Sequence, residues 1–98
     1  MNLKGKNIIV TGGSLGIGKE TAKALVEKGA NVLITGRSED RLNKAKLYCN
    51  AETIEFDIAD FDNIPRFAKE CLSILENRVD VLINNAGIGV RSSIEELN

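Results

Sequence analysis

Three short polar segments carry the residue types and spacings from which chemistry can be built. The first, Thr11-Gly12-Gly13-Ser14-Leu15-Gly16-Ile17-Gly18-Lys19, follows the apolar run Asn7-Ile8-Ile9-Val10 and places four glycines within seven positions. Glycines at a strand-to-helix turn let backbone N–H groups approach a phosphate closely, and the helix dipole favours the negative charge that results. The second, Gly36-Arg37-Ser38, closes another apolar run and offers a planar, permanently charged fork beside a hydroxyl. The third, Asn84-Asn85-Ala86-Gly87, closes the run Val79-Asp80-Val81-Leu82-Ile83 with two amide side chains. Asp57 stands alone after the alternating stretch Thr53-Ile54-Glu55-Phe56.

Two phosphate-binding readings compete for the glycine loop. Residues Gly13 to Lys19 match all but the last position of GxxxxGK[ST], the loop that cradles nucleoside triphosphates. That last position must supply a hydroxyl for magnesium, and here it is Glu20, a carboxylate beside polyphosphate. The other reading is Thr11-Gly12-x-x-x-Gly16-x-Gly18, a variant of the dinucleotide fingerprint. The strict GxGxxG form fails, since Thr21 stands where the last glycine should. The loop's place between strand and helix, facing a second polar loop, favours the dinucleotide. A purely structural glycine turn is the competing account.

Absences narrow the field. The chain has no histidine, which removes an imidazole base, a Ser-His pair and an HExxH zinc site. Cys49 and Cys71 lack CxxC spacing and read as buried hydrophobes of a reducing compartment. With 13 basic and 14 acidic residues, net charge −1, no nucleic-acid or membrane-surface partner is expected. No apolar run nears the ~18 residues of a membrane span, nor is there a signal-peptide pattern. The 98 residues suffice for one domain, 1–98, and a soluble, cytoplasmic location is expected.

The elements that must position these segments follow from periodicity. Asn7–Thr11 and Asn31–Thr35 read as buried strands, Thr53–Phe56 as a third and Val79–Ile83 as a fourth. Ile17, Thr21, Ala22, Leu25 and Val26 recur at helical spacing, with Gly29 as a left-handed terminator. Ser38 caps a second helix whose first turn holds Glu39 and Asp40 and whose inner face is Leu42, Ala45 and Cys49. A third helix takes Asp62 or Asn63 near its cap and Pro65 in its first turn, with Ile64, Phe67, Ala68, Cys71, Leu72 and Leu75 on one side. Ser92 or Ser93 would open one more. Strands alternating with helices imply an α/β fold, a doubly wound parallel sheet of order 3-2-1-4 with right-handed crossovers. That order brings the first and fourth strands together, so a ligand crevice should open where Gly12 and Asn85 lie.

Taken together, the glycine loop, Asp57 after the third strand and Asn84-Asn85-Ala86-Gly87 after the fourth resemble the short-chain dehydrogenase/reductase family over the whole chain. The likeness is to NADP-dependent members that reduce carbonyl compounds, 3-oxoacyl reductases among them. It implies a partial Rossmann-like cofactor-binding domain, ending after the fourth strand. Gly12, Ser14, Leu15, Gly16, Ile17 and Gly18 would hold the diphosphate. Asp57 and Ile58 would contact adenine, and Asn85, Ala86 and Gly87 the adenosine ribose. The bland alternatives are that Asp57 only caps a loop and that the asparagines only pair strand-end backbone groups.

Cofactor choice can be read apart from the family. An acidic residue about 20 positions beyond the loop would bind the ribose 2′-hydroxyl of NAD, whereas an arginine accommodates the 2′-phosphate of NADP. Arg37 with Ser38 favours NADP, and NAD is the weaker alternative. Against this, Arg37 can be a solvated charge, and Glu39 and Asp40 lie close by. The family's hydride chemistry uses a serine, a Tyr-x-x-x-Lys pair and an asparagine, downstream of this region. Tyr48, the sole tyrosine, is followed four residues later by Glu52 and is expected to be a partly buried packing residue. No turnover is therefore expected from these residues alone. An unpaired fourth strand would expose Val81, Leu82 and Ile83, inviting a homo-oligomer through that edge. A non-catalytic module that binds dinucleotide and self-associates is the alternative function.

Overall fold

Apolar runs that lack alternation are buried on both faces, and the first two strands are so placed. The computed structural model describes residues 2–57 and 59–85. They run β1 (Asn7–Thr11), α1 (Gly16–Glu27), β2 (Asn31–Gly36), α2 (Glu39–Cys49), β3 (Glu52–Glu55), a 3-10 turn (Phe61–Asn63), α3 (Ile64–Ile74) and β4 (Val81–Asn84). The strands are parallel in the order β3-β2-β1-β4, the Rossmann-like arrangement expected from the sequence.

Successive side chains of a strand point to opposite faces. Ile8, Val10, Val32 and Ile34 therefore meet Ala22 of α1 and Leu42, Ala45 and Cys49 of α2 on one face. Ile9 and Leu33 meet Cys71 and Leu75, with Phe67 and Ile54 packed beside them, on the other. Deep burial suits Leu33 and Ile34, each 0% exposed; truncating either to Ala would cost about 2–5 kcal/mol. Cys49 and Cys71 are free, buried thiols. Burial pushes both thiols above their ordinary value, Cys71 to about 11.

Several boundaries differ from the reading of the sequence. β3 ends before Phe56, whose N–H still donates to the Gly36 carbonyl (2.8 Å) while its ring stacks on Phe67 with centroids 3.9 Å apart. β4 starts at Val81 rather than Val79, because the Asp80 carboxylate takes the Asn7 N–H at 2.8 Å in place of a ladder carbonyl. The third helix has no side-chain cap: Asn63 donates instead to the Asp60 carboxylate (2.7 Å). Only Cys71 and Leu75 of its expected apolar side are buried, whereas Ile64 and Leu72 are exposed. α3 packs over Ile9, Leu33 and Ile54, so Leu82 of β4 stays 62% exposed.

Tyr48 also departs from expectation. It is exposed, its hydroxyl donates to the Glu20 carboxylate at 2.8 and 2.9 Å, and Lys19 and Lys23 place their ammonium groups over its ring. The polar faces of α1 and α2 are thus tied together outside the core. Ser92 and Ser93 lie outside the described residues.

Candidate functional site

The register sets Thr11 of β1 beside Thr35 of β2 and Asn84 of β4, so three strands end at one level. The chain diverges beyond them, into the glycine loop, into Gly36-Arg37-Ser38 and into Asn85. A crevice of about 760 Å³ opens there, and Gly12, Ser14, Leu15, Arg37, Ser38, Asp57 and Asn85 line it. Arg41, Phe56 and Phe67 complete its wall. Segments from three separate stretches of sequence therefore converge on one cleft. Ile58, Ala86 and Gly87 lie outside the described residues.

The loop's shape is built from backbone bonds. Gly12 donates its N–H to the Thr35 carbonyl at 2.8 Å, which bends the chain over the end of β2. Gly16 opens α1 with φ +55°, a left-handed conformation that a side chain would strain, although nothing lies within 4 Å of its missing Cβ. Gly18 is constrained by space instead. A Cβ there would come within 2.7 Å of the Gly12 carbonyl and would overlap the Asn85 amide. Gly18 is buried and does not line the crevice, while Gly16 and Ile17 border a shallow surface with Lys19 and Glu20.

The start of α1 has no cap of its own. Its N-cap residue, Leu15, is extended (φ −141°, ψ 158°), makes no side-chain bond, and no acidic residue occupies the first turn. The leading N–H groups of a helix have no intrahelical acceptor, so an apolar N-cap beside a cleft leaves them for an external anion.

Both asparagines bond to the neighbouring strand end and its loop. Asn84 accepts from the Thr11 hydroxyl at 2.9 Å, and Asn85 donates to the Gly12 carbonyl at 3.1 Å. Asn85 therefore fixes the glycine loop while lining the crevice. Asp57 likewise does two things: one carboxylate oxygen accepts from Ala59 N–H at 2.9 Å, and the side chain borders the cleft.

At the end of β2, Ser38 caps α2 by accepting the Arg41 N–H at 3.3 Å, which leaves its hydroxyl proton available to donate. Arg37 and Arg41 line the crevice, whereas Glu39 and Asp40 are exposed and do not. Among the described residues, neither arginine forms an ion pair. Arg41 has no signal of its own in the sequence: Arg37 lies before the Ser38 cap and Arg41 in the first turn of α2, and both line the crevice only once the turn between them is in place. The Phe56–Phe67 stack has no local signal in the sequence, because the two rings are brought together only by tertiary packing.

An open, uncapped helix start and arginines without ion pairs among the described residues give this cleft the character of a site for a phosphate-bearing ligand. The fold and the cleft define a parallel α/β nucleotide-binding unit with its ligand at the strand ends. The chain belongs to the short chain dehydrogenase family, whose profile matches residues 6–98. It is 42% identical over 93 residues to a short-chain dehydrogenase/reductase of Armillaria gallica, covering 89% of this chain and 30% of that protein. Human retinol dehydrogenase 13 is 37% identical over 93 residues, covering 88% and 28%. A solved short-chain dehydrogenase/reductase of unknown function from Caenorhabditis elegans, with cofactor, superposes with a TM-score of 0.74 at 30% identity, covering 84% of this chain and 33% of that one. The chain thus spans about a third of the length of the relatives it matches. The family consists of oxidoreductases that bind nicotinamide dinucleotides.

Proposed function

We propose that residues 1–98 form the cofactor-binding domain of an NADP-dependent short-chain oxidoreductase acting on a carbonyl or alcohol substrate, of the 3-oxoacyl reductase kind. The observation that carries this reading is the single crevice joining the uncapped start of α1 to Arg37 and Ser38. Gly12, Ser14 and Leu15 hold the diphosphate in this crevice, Gly16 and Ile17 present the start of α1 to it, Gly18 keeps the loop close to the helix, and Arg37 with Ser38 holds the 2′-phosphate. Asp57 and Ile58 contact the adenine, and Asn85, Ala86 and Gly87 the adjoining ribose. The similarity to a retinol dehydrogenase supports alcohol and carbonyl chemistry. Bound nicotinamide supplies or accepts a hydride.

The chain's own residues bind and orient. Tyr48 is not a proton donor for that chemistry: it lies on the outer face of α2, and its bond to Glu20 holds the phenol above its ordinary value. No Tyr-x-x-x-Lys pair occurs among these 98 residues. Free buried thiols suit a reducing cytoplasm, and no helix among the described residues is long and apolar enough to cross a membrane.

Calorimetric titration with NADP, NAD and magnesium-ATP tests this reading. NADP should bind tightest, and Arg37→Ala should remove its advantage over NAD. A folded chain that binds none of the three would refute it. A second reading, a non-catalytic module that self-associates, draws on β4 standing at a sheet edge among the described residues with Leu82 exposed. Sedimentation would then show a dimer that Leu82→Lys dissolves.

A further inference from the structure

We propose that Tyr48 is a positioning residue of the cofactor site: its hydroxyl holds the Glu20 carboxylate on the outer surface of α1, clear of the open start of that helix. The proposal rests on the dinucleotide reading and deepens it. A helix start without a cap offers its N–H groups to any negative charge in reach, whether from the protein or from a ligand. Glu20 is the first carboxylate along α1, one turn beyond Gly16. Side chains tilt toward the N-terminus of their helix and cover the turn before them. An unrestrained Glu20 therefore faces back over Gly16 and Ile17, whose surface it already shares. One turn is about 5.4 Å, less than the ~8 Å Debye length at physiological salt, so its charge would be screened only in part. Released there, the carboxylate would compete with a diphosphate and repel it.

Tyr48 of α2 removes that competitor. The buried Cys49 thiol donates to the Lys19 carbonyl at 3.3 Å, which sets α2 against the first turn of α1 and brings the preceding residue, Tyr48, to Glu20. The Tyr48 hydroxyl lies 2.9 and 2.8 Å from the two carboxylate oxygens and donates to them. The cations that could hold the carboxylate instead are occupied. Lys19 and Lys23 stand over the Tyr48 ring, 4.8 and 4.5 Å from its centre, and Glu20 forms no ion pair among the described residues. The phenol thus decides where the carboxylate rests. Its bond to Glu20 also raises its own pKa above the ordinary value, so the hydroxyl keeps its proton and remains a donor at neutral pH.

The test is a double-mutant cycle read by calorimetric titration of NADP and NAD, with circular dichroism verifying each fold. Tyr48→Phe keeps the ring beneath its two lysines and removes only the hydroxyl. It should weaken both dinucleotides equally, about three-fold, because the diphosphate is common to them. In a chain already carrying Glu20→Gln, which has no charge to release, the same Tyr48→Phe change should cost nothing. Unchanged affinity in Tyr48→Phe overturns the proposal, and so does a loss confined to one dinucleotide. A loss that persists in the Glu20→Gln background overturns it as well, since the hydroxyl would then act through the packing of α1 on α2 and not through the carboxylate. If the parent chain, shown to be folded, binds neither dinucleotide, the cofactor reading itself fails, a result visible before any variant is compared.

Discussion

Two helix starts face the same crevice, and they are finished in opposite ways. α2 has a serine at its N-cap bonded to the Arg41 N–H, and Glu39 and Asp40 sit in its first turn. α1 has a leucine at its N-cap, no side-chain bond and no acidic residue in its first turn. The usual solution for a helix start is a short polar side chain with negative charge nearby, worth about 1 kcal/mol. α2 adopts that solution, so its backbone is satisfied and it offers the crevice only side chains. α1 forgoes it, and its backbone itself remains the binding surface. Stability and binding compete at α1, whereas at α2 one serine can serve both.

The largest expected effect comes from filling the space that keeps α1 against its loop. Gly18→Ala would force a methyl against the Gly12 carbonyl and the Asn85 amide, breaking the bond between them. A loss of about 3 kcal/mol in urea unfolding is expected, together with loss of dinucleotide binding. A variant that kept full stability would show that the close approach is not needed.

Leu15→Asp gives α1 the ending that α2 already has. The N-cap backbone is already extended, as a capping residue requires. Stability should rise by about 1 kcal/mol while dinucleotide affinity falls about ten-fold, since the new carboxylate takes the place of the ligand's phosphate. Opposite signs in the two measurements are the signature of the trade. A rise in both would break the comparison. The matching change, Ser38→Ala, should lower stability by about 0.5 kcal/mol and weaken NADP more than NAD.

These two helix starts also show what a sequence makes legible. Ser38 with Glu39 and Asp40 is a local signal, and the structure has the cap where the residues imply it. β1 likewise matches Asn7–Thr11, because burial on both faces leaves a continuous apolar run. α3 sits shallower than its pattern implies because apolar spacing reports a face but not the width of sheet beneath it; Leu72 follows the pattern and is exposed. Tyr48 differs from expectation for a related reason. Its partners, Glu20, Lys19 and Lys23, belong to another helix, and no spacing within α2 reveals them. The crevice was legible as a meeting of strand ends, whereas Arg41 required the turn of α2 to be seen in place.

The smallest effect belongs to the other end of the sheet, where a carboxylate does complete a backbone end. Asp80 accepts the Asn7 N–H at 2.8 Å and the Arg78 Nε–H at 3.1 Å. The Asn7 bond, with Arg78 and Lys6 nearby, holds this carboxyl below its ordinary 3.8 against an opposing desolvation. A group whose folded pKa is depressed contributes stability above the unfolded value and loses it as pH falls through the folded one. The urea midpoint should therefore drop below pH 3.8, and Asp80→Asn should flatten that part of the acid limb. NADP affinity at neutral pH should be the same in this variant, because Asn7 begins β1 and the crevice opens beyond Thr11 at its far end. If Asp80→Asn did shift affinity, the two ends of β1 would be coupled. The uncapped start of α1 could not then be treated as an independent binding surface.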